Sequence, residues 1–431
     1  MKIKSSASRL SGKVKIPGSK SHTIRAAAIA GFAKGESLIR SPLVSSDTIS
    51  ALNAFEAMGA KINRCNDEFW KISGVAGRPS APAGEIDVGN SGTTLRLAAG
   101  LAALNDGGRA VRFTGDHQIC SRPLQPLLDS LSDLGAEAVS INSDGCAPVE
   151  IKGTLKGGRT SIECRTSQYL SSLFLCCPLA EQSSEIEVPL LYEPDYVGIT
   201  LDWLDKQGIQ YSCTEDFSNV RIEGSQSYRR FDETVPADFS SASFFLCAAA
   251  LCGEDVVIEG LDYSDSQPDK AVAEYLRKMG ADIEINENGS TAVRASSLTG
   301  IDIDMNRTPD ALPIMAVTAA LADGTTRLYN VAQARNKETD RIKCMAEVLS
   351  KIGADIEELP DGLIIRGGNK LSSGEVSGHY DHRIIMSMAV AAIAGGIELD
   401  IDTAEAVDVT FPTFPELMRS IGGKIDRVEQ N

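Results

Sequence analysis

The sequence predicts an α/β protein of two domains, each made of three similar units. Three observations predict it. A helical run ending at glycine and followed by a short alternating stretch recurs six times, at Gly59, Gly135, Gly208, Gly280, Gly353 and Gly422, in steps of 76, 73, 72, 73 and 69 residues. Six Ala-rich apolar runs are interleaved with these copies. The length of 431 residues exceeds what one core usually fills, and self-similarity at a fixed period outranks any local assignment.

The first series reads FEAMGAKI (from Phe55), LSDLGAEA (Leu131), LDKQGIQY (Leu204), LRKMGADI (Leu276), LSKIGADI (Leu349) and MRSIGGKI (Met418). In the fourth copy Val272, Tyr275, Leu276 and Met279 fall at i, i+3, i+4 and i+7, one stripe of a helix. Gly280 supplies the positive-φ residue that ends it, and Ala281–Ile285 alternates with period two, as a half-buried strand does. The second series begins near Ser19, Asn90, Thr166, Ala237, Pro309 and Asp381, with cap-forming residues at or near each start. Each run then becomes apolar on nearly every face, and a helix without a polar side belongs inside a domain. The unit is therefore strand, buried helix, strand, surface helix, strands. The break between domains is expected near Tyr228–Pro236.

Hydrophobic residues make up 42% and charged residues 23%, as in a soluble globular protein. The net charge of −17 disfavours nucleic acid and anionic membrane as partners. The apolar runs are too short to span a bilayer, and MKIKSSASRL lacks the apolar core of a signal peptide. Ten cysteines without a CxxC pair predict reduced thiols and a cytoplasmic location, and four scattered histidines predict no metal site.

The cations of this acidic chain occupy unusual places. Lys20, Arg25 and Arg96 lie near the starts of apolar helices, Arg122 precedes Pro123, a natural first helical residue, Lys337 and Arg341 are expected to open a helix, and Arg383 opens the last apolar run. A cation at a helix N-terminus costs roughly 0.3–1 kcal/mol, and a bound anion reverses that sign. Each arginine alone is most simply a solvated side chain, and Asp238, Asp310 and Asp381 are most simply N-caps. Their coincidence across repeats predicts that the cations converge on one interdomain site for highly anionic small molecules.

The motifs PGSKSHTIR (Pro17–Arg25), GNSGTTLR (Gly89–Arg96), SRP (Ser121–Pro123), TSQ (Thr166–Gln168), PDA (Pro309–Ala311), KETDR (Lys337–Arg341), DHR (Asp381–Arg383) and TFP (Thr410–Pro412) resemble those of the EPSP synthase family, in family order over nearly the whole chain. The resemblance implies the two-domain enolpyruvyl transferase fold, with three βαβαββ repeats per domain around buried parallel helices, an inside-out α/β barrel. It implies an inserted domain at 18–231 carrying repeats 1–3, a domain of 1–17 plus 232–431 carrying repeats 4–6, and an active site in the cleft between them. The implied reaction transfers the enolpyruvyl group of phosphoenolpyruvate to the 5-hydroxyl of shikimate 3-phosphate and releases phosphate, with no cofactor and no metal. Because the repeats bury one another within the chain, a monomer is expected.

By motif position, the resemblance assigns phosphoenolpyruvate to Lys20, Gly92, Arg122, Gln168, Arg341 and Arg383. It assigns the phosphorylated alcohol to Lys20, Ser21, Arg25, Thr166, Ser167, Gln168, Tyr196, Asp310, Gln333 and Lys337. Asp310 is implied as the base for the hydroxyl, with Glu338 and Lys20 moving protons. The chain departs from the family at Glu193-Pro194-Asp195-Tyr196, where a serine that touches the acceptor phosphate is replaced by Glu193, and at Val409, where a lysine is usual. An enolpyruvyl transferase with another hydroxyl acceptor, or a non-catalytic anion-binding homologue, stands as the alternative.

Overall fold

The computed structural model describes residues 1–66, 68–105, 108–286 and 289–429. The chain divides into two compact units, Gly18–Val235 and Met1–Pro17 with Pro236–Asn431.

The unit Gly18–Val235 contains α1 (Lys20–Phe32), α2 (Ser46–Ala57), α3 (Gly92–Ala102), α4 (Gln125–Asp133), α5 (Ser167–Cys176) and α6 (Pro194–Gln207). Helices α1, α3 and α5 are the Ala-rich runs. All of α3 is buried, as is all of α1 from His22 onward and all of α5 except Gln168. The other three helices bury a single stripe, such as Leu127, Leu128 and Leu131 of α4 or Val197, Thr200, Trp203 and Leu204 of α6. Three four-stranded sheets accompany them. Their strand orders are Asp232–Thr234, Glu36–Arg40, Phe69–Ser73, Lys61–Asn66; then Ile86–Asp87, Val111–Thr114, Val149–Lys152, Glu137–Ser140; and then Gly158–Cys164, Ser184–Leu191, Asn219–Ile222, Tyr211–Cys213.

The unit formed by the two chain ends contains α7 (Phe239–Cys252), α8 (Ala271–Lys278), α9 (Leu312–Leu321), α10 (Arg341–Lys351), α11 (His382–Gly395), α12 (Val407–Thr410) and α13 (Phe414–Ser420). Here α7, α9 and α11 are the buried helices. The sheets run Leu10–Lys15, Gly253–Glu259, Thr291–Arg294, Asp282–Ile285; then Asp302–Asp304, Thr325–Tyr329, Gly362–Arg366, Asp355–Leu359; and then Gly374–Val376, Glu398–Ile401, Lys2–Ser6, Lys424–Val428.

All six sheets share one plan. The first pair of strands is parallel and the next two pairs are antiparallel. A parallel pair needs a crossover, which the buried helix supplies in four of the six sheets, whereas a tight turn suffices for an antiparallel hairpin. The six repeat glycines all have positive φ, from +71° to +108°, so each amphipathic helix ends where the period predicts and a strand follows.

Three sheets are completed by strands from distant parts of the chain, one of them the sheet in which Leu10–Lys15 lies beside Gly253–Glu259. Lys2–Ser6 sits between Glu398–Ile401 and Lys424–Val428, and Asp232–Thr234 takes the parallel edge beside Glu36–Arg40. Val235 N donates to Arg40 O at 2.9 Å, while Asp238 N donates to Pro17 O at 3.0 Å, so the second crossing between units falls at Val235–Pro236, a few residues beyond Phe231. Among the described residues no helix is long and apolar enough to cross a membrane.

Both tryptophans, Trp70 and Trp203, lie buried in Gly18–Val235. Their emission therefore reports on that unit. Leu173 of α5 is wholly buried, and Leu173→Ala is expected to destabilise the unit by about 2–5 kcal/mol, seen as a lower urea midpoint of tryptophan emission. An unmoved midpoint would contradict this core.

Candidate active site

In Gly18–Val235 the chemistry gathers at the starts of the buried helices. Ser19 caps α1, Ser91 caps α3 and Thr166 caps α5, each through its side-chain oxygen. Lys20, the first residue of α1, places Nζ 3.2 Å from Asp47 Oδ2 in the first turn of α2. One turn on, Arg25 is buried and donates from Nε to Thr200 Oγ1 (2.7 Å), from Nη1 to Ser21 O (3.1 Å), and from Nη2 to Ser171 Oγ (3.4 Å) and Tyr196 O (3.5 Å). Burial pushes its guanidinium down to about 10, because these partners are dipoles rather than charges.

Gly92 opens α3 for a steric reason. A Cβ there would lie 2.7 Å from Arg96 Nη1 and 2.8 Å from Arg122 Nη1, so any larger residue would push one or both guanidinium groups from the helix start. Arg96 donates from Nη1 to Gln168 Oε1 (2.9 Å) and lies over the Tyr169 ring at 5.7 Å, while Gln168 Nε2 donates to Thr93 Oγ1 (3.2 Å). Burial first, and Arg122 as a like charge, lower the Arg96 pKa against the opposing pull of Tyr169. Glu193 is buried and left-handed (φ +58°) ahead of Pro194. Its Oε2 accepts from Ser167 Oγ (3.2 Å) and Thr166 Oγ1 (3.4 Å).

In the other unit Arg341, fully buried at the start of α10, holds three carboxylates. Nε donates to Asp381 Oδ2 (2.8 Å), Nη1 to Asp310 Oδ1 (2.8 Å), and Nη2 to Glu338 Oε2. Arg383 donates from Nη2 to Asp310 Oδ2 (2.9 Å) and from Nη1 to Asp310 O (3.2 Å), and Lys337 Nζ lies 3.8 Å from Asp310 Oδ1. Burial alone would raise the Asp310 carboxyl, but Arg383, Lys337 and Arg341 outweigh it and hold the group well below the usual range. Asp381 is likewise lowered, with burial opposed chiefly by Arg341, which is itself raised by the carboxylates against the effect of its burial. Gln333 Nε2 donates to Asn306 Oδ1 (3.0 Å) and O (3.2 Å), tying down the turn ahead of Asp310.

The structure thus places Lys20, Ser21, Arg25, Gly92, Arg122, Thr166, Ser167, Gln168 and Tyr196 in one unit, and Asp310, Gln333, Lys337, Glu338, Arg341 and Arg383 in the other. Three local expectations are corrected. Asp310 lies in the 3-10 turn Pro309–Ala311 and caps nothing, because its carboxylate is held by cations; Asp238 and Asp381 are N-caps as expected. Lys337 does not open a helix, since Asp340 accepts from Lys343 N and starts α10 at Arg341. Arg122 is extended, and α4 begins only at Gln125 with Pro126 in its first turn. Asp47, Ser171 and Thr200 were not legible as partners: each reads as an ordinary helix residue, and only tertiary packing brings it to Lys20 or Arg25.

The architecture defines an enolpyruvyl transferase fold. Over 99% of this chain and 98% of its own length, the enolpyruvyl transferase NikO from Streptomyces tendae matches with a TM-score of 0.79 at 17% identity, a likeness of fold. EPSP synthase from Acinetobacter baumannii matches over 99% of both chains with a TM-score of 0.83 at 29% identity. The 3-phosphoshikimate 1-carboxyvinyltransferases of Ruminiclostridium cellulolyticum and Acetivibrio thermocellus are each 49% identical, over 99% and 100% of this chain and all of their own lengths. The profile of the EPSP synthase (3-phosphoshikimate 1-carboxyvinyltransferase) family matches residues 4–418, and the chain belongs to that family.

Removing Arg341 would leave the buried Asp381 carboxylate without its main counter-charge, while Arg383 and Lys337 still hold Asp310; breaking a buried pair typically costs about 3–5 kcal/mol. Arg341→Met is expected to destabilise its unit by that order at pH 7. A carboxyl lowered by folding contributes stability that is present above its unfolded pKa, about 3.9, and lost as pH falls through the folded value. Wild-type stability from Asp310 and Asp381 therefore persists into mild acid. The deficit of Arg341→Met should shrink below about pH 5, as the carboxylates that lose Arg341 take up protons. Urea midpoints across pH 3–7 would test this, and a pH-independent deficit would contradict it.

Proposed function

We propose that this chain transfers the enolpyruvyl group of phosphoenolpyruvate to the 5-hydroxyl of shikimate 3-phosphate, releasing phosphate. Membership of the family supports the reaction. The observation that carries the residue assignment is Asp310, a carboxylate held by Arg341, Arg383 and Lys337 together. Both substrates carry phosphate and carboxylate, so binding them side by side demands several cations, and the basic residues of the family motifs are the ones assigned to it.

On this reading the hydroxyl oxygen attacks C2 of phosphoenolpyruvate while C3 is protonated to a methyl group, giving a tetrahedral intermediate. Loss of a methyl proton and of phosphate then restores the double bond in the product. Asp310 takes the hydroxyl proton, and Glu338 and Lys20 give and recover the proton at C3. A general base works best with a pKa near the operating pH, and Asp310 begins far below it. Substrate anions that draw charge from Arg341 and Arg383 would raise Asp310 toward that range, so binding itself prepares the base. Lys20, Arg122, Arg341 and Arg383 hold the donor with Gly92 and Gln168. Ser21, Arg25, Thr166, Ser167, Tyr196, Gln333 and Lys337 face the acceptor. We read the enzyme as a cytoplasmic monomer working without a cofactor; the nine described cysteines are all unbridged, which a reducing compartment allows.

Mixing the protein with both substrates should release phosphate and yield the enolpyruvyl ether. Asp310→Asn and Glu338→Gln should still bind substrates by calorimetry but lose about 10²–10⁴-fold in kcat, the usual worth of a positioned acid or base. Near-wild-type kcat in either variant would remove that residue from its role.

A further inference from the structure

We propose that Glu193 determines acceptor specificity by competing with the acceptor's phosphate for the Thr166 and Ser167 hydroxyls. This rests on the function proposed above, in which those two residues face the phosphorylated alcohol.

Glu193 Oε2 already accepts from Ser167 Oγ at 3.2 Å and from Thr166 Oγ1 at 3.4 Å. Each hydroxyl has a single proton to give, and a carboxylate and a phosphate are both acceptors only. The two anions therefore cannot share these donors. Glu193 is also fixed in place. It is only 2% exposed, its backbone is left-handed, Pro194 follows it, and its carbonyl accepts from Tyr196 N at 3.1 Å. The Glu193 charge acts on Arg96, so it draws on the same field that an incoming anion would use. Arg25, one turn inside α1, has hydrogen bonds only to hydroxyls and carbonyls and stays available to reward added negative charge.

A dianionic phosphate must displace the Glu193 side chain or bind against it, and repulsion between like charges a few ångströms apart weakens binding about tenfold or more. An acceptor without a phosphate meets no such barrier. The chain should thus discriminate less sharply between shikimate 3-phosphate and shikimate than its hydroxyls and arginines would otherwise allow.

The test measures steady-state kinetics of the full chain with phosphoenolpyruvate and either acceptor, for wild type, Glu193→Gln and Glu193→Asn. Asparagine tolerates a left-handed backbone, so it guards against a misfolded glutamine variant. The expected result is a KM for shikimate 3-phosphate lowered about tenfold, a KM for phosphoenolpyruvate within twofold of wild type, and a preference for the phosphorylated acceptor raised about tenfold. A purely structural Glu193 would instead lower the melting temperature and shift both KM values alike, and that result overturns the proposal. So does an unchanged or raised KM for shikimate 3-phosphate in a variant that melts like wild type. A wild-type chain with no turnover of shikimate 3-phosphate would overturn the proposed function, and this inference with it.

Discussion

A helix with no polar side has to be covered on every face, and this constraint shapes both units. Side chains of α1, α3, α5, α7, α9 and α11 are buried almost throughout, so the sheets and amphipathic helices serve to cover them. A buried helix still leaves its first N–H groups without intrahelical partners. Polar chemistry can therefore enter these helices cheaply only at their ends. Within Gly18–Val235 the first turns also meet one another: Arg96 of α3 bonds Gln168 of α5, and Arg25 of α1 bonds Ser171 of α5 and Tyr196 of α6. The covering that makes the core also aligns the helix starts at a common end.

The two polar clusters built this way differ in electrostatic character. In the unit formed by the chain ends, Lys337, Arg341 and Arg383 face Asp310, Glu338 and Asp381, so cations and carboxylates are balanced. Such a set is stable without a ligand and can redistribute protons with little change in net charge. In Gly18–Val235, Lys20 is paired with Asp47 and Glu193 acts on Arg96, while the hydrogen-bond partners of Arg25 are hydroxyls and carbonyls. Burial lowers the pKa of both Arg25 and Arg96, a sign that these charges lack full compensation within the protein.

Much of this was legible in the sequence because repetition is a global signal. Six glycines at nearly equal steps fixed the number of units, and each now has positive φ at the end of an amphipathic helix. The helix starts were legible for α1, α5, α7 and α11, where Ser19, Thr166, Asp238 and Asp381 cap as expected. The misreadings came from residues whose local and tertiary roles compete. Asp310 follows Pro309 and resembles a cap, yet three cations hold its carboxylate. Lys337 lies four residues before Arg341, which suggested one helix, but the Asp340 cap starts the helix later. Asp47 carries no local mark of its role, since an acidic residue in a first turn is favourable anyway.

The departures from the family pattern fall where this charge distribution makes them matter. Val409 sits in the short helix α12, and the carboxylate beside it, Asp408, is answered by Arg427 at 2.7 Å. An apolar residue there adds no charge to a unit whose polar cluster is already balanced, so the balance survives the loss of a lysine. Glu193 has the opposite effect, because it puts a fixed negative charge among cations that would otherwise be reserved for ligand. Its buried carboxylate offsets repulsion among the arginines, at the expense of affinity for an anion that would replace it. Stability of the unit and strength of acceptor binding thus pull against each other at one side chain.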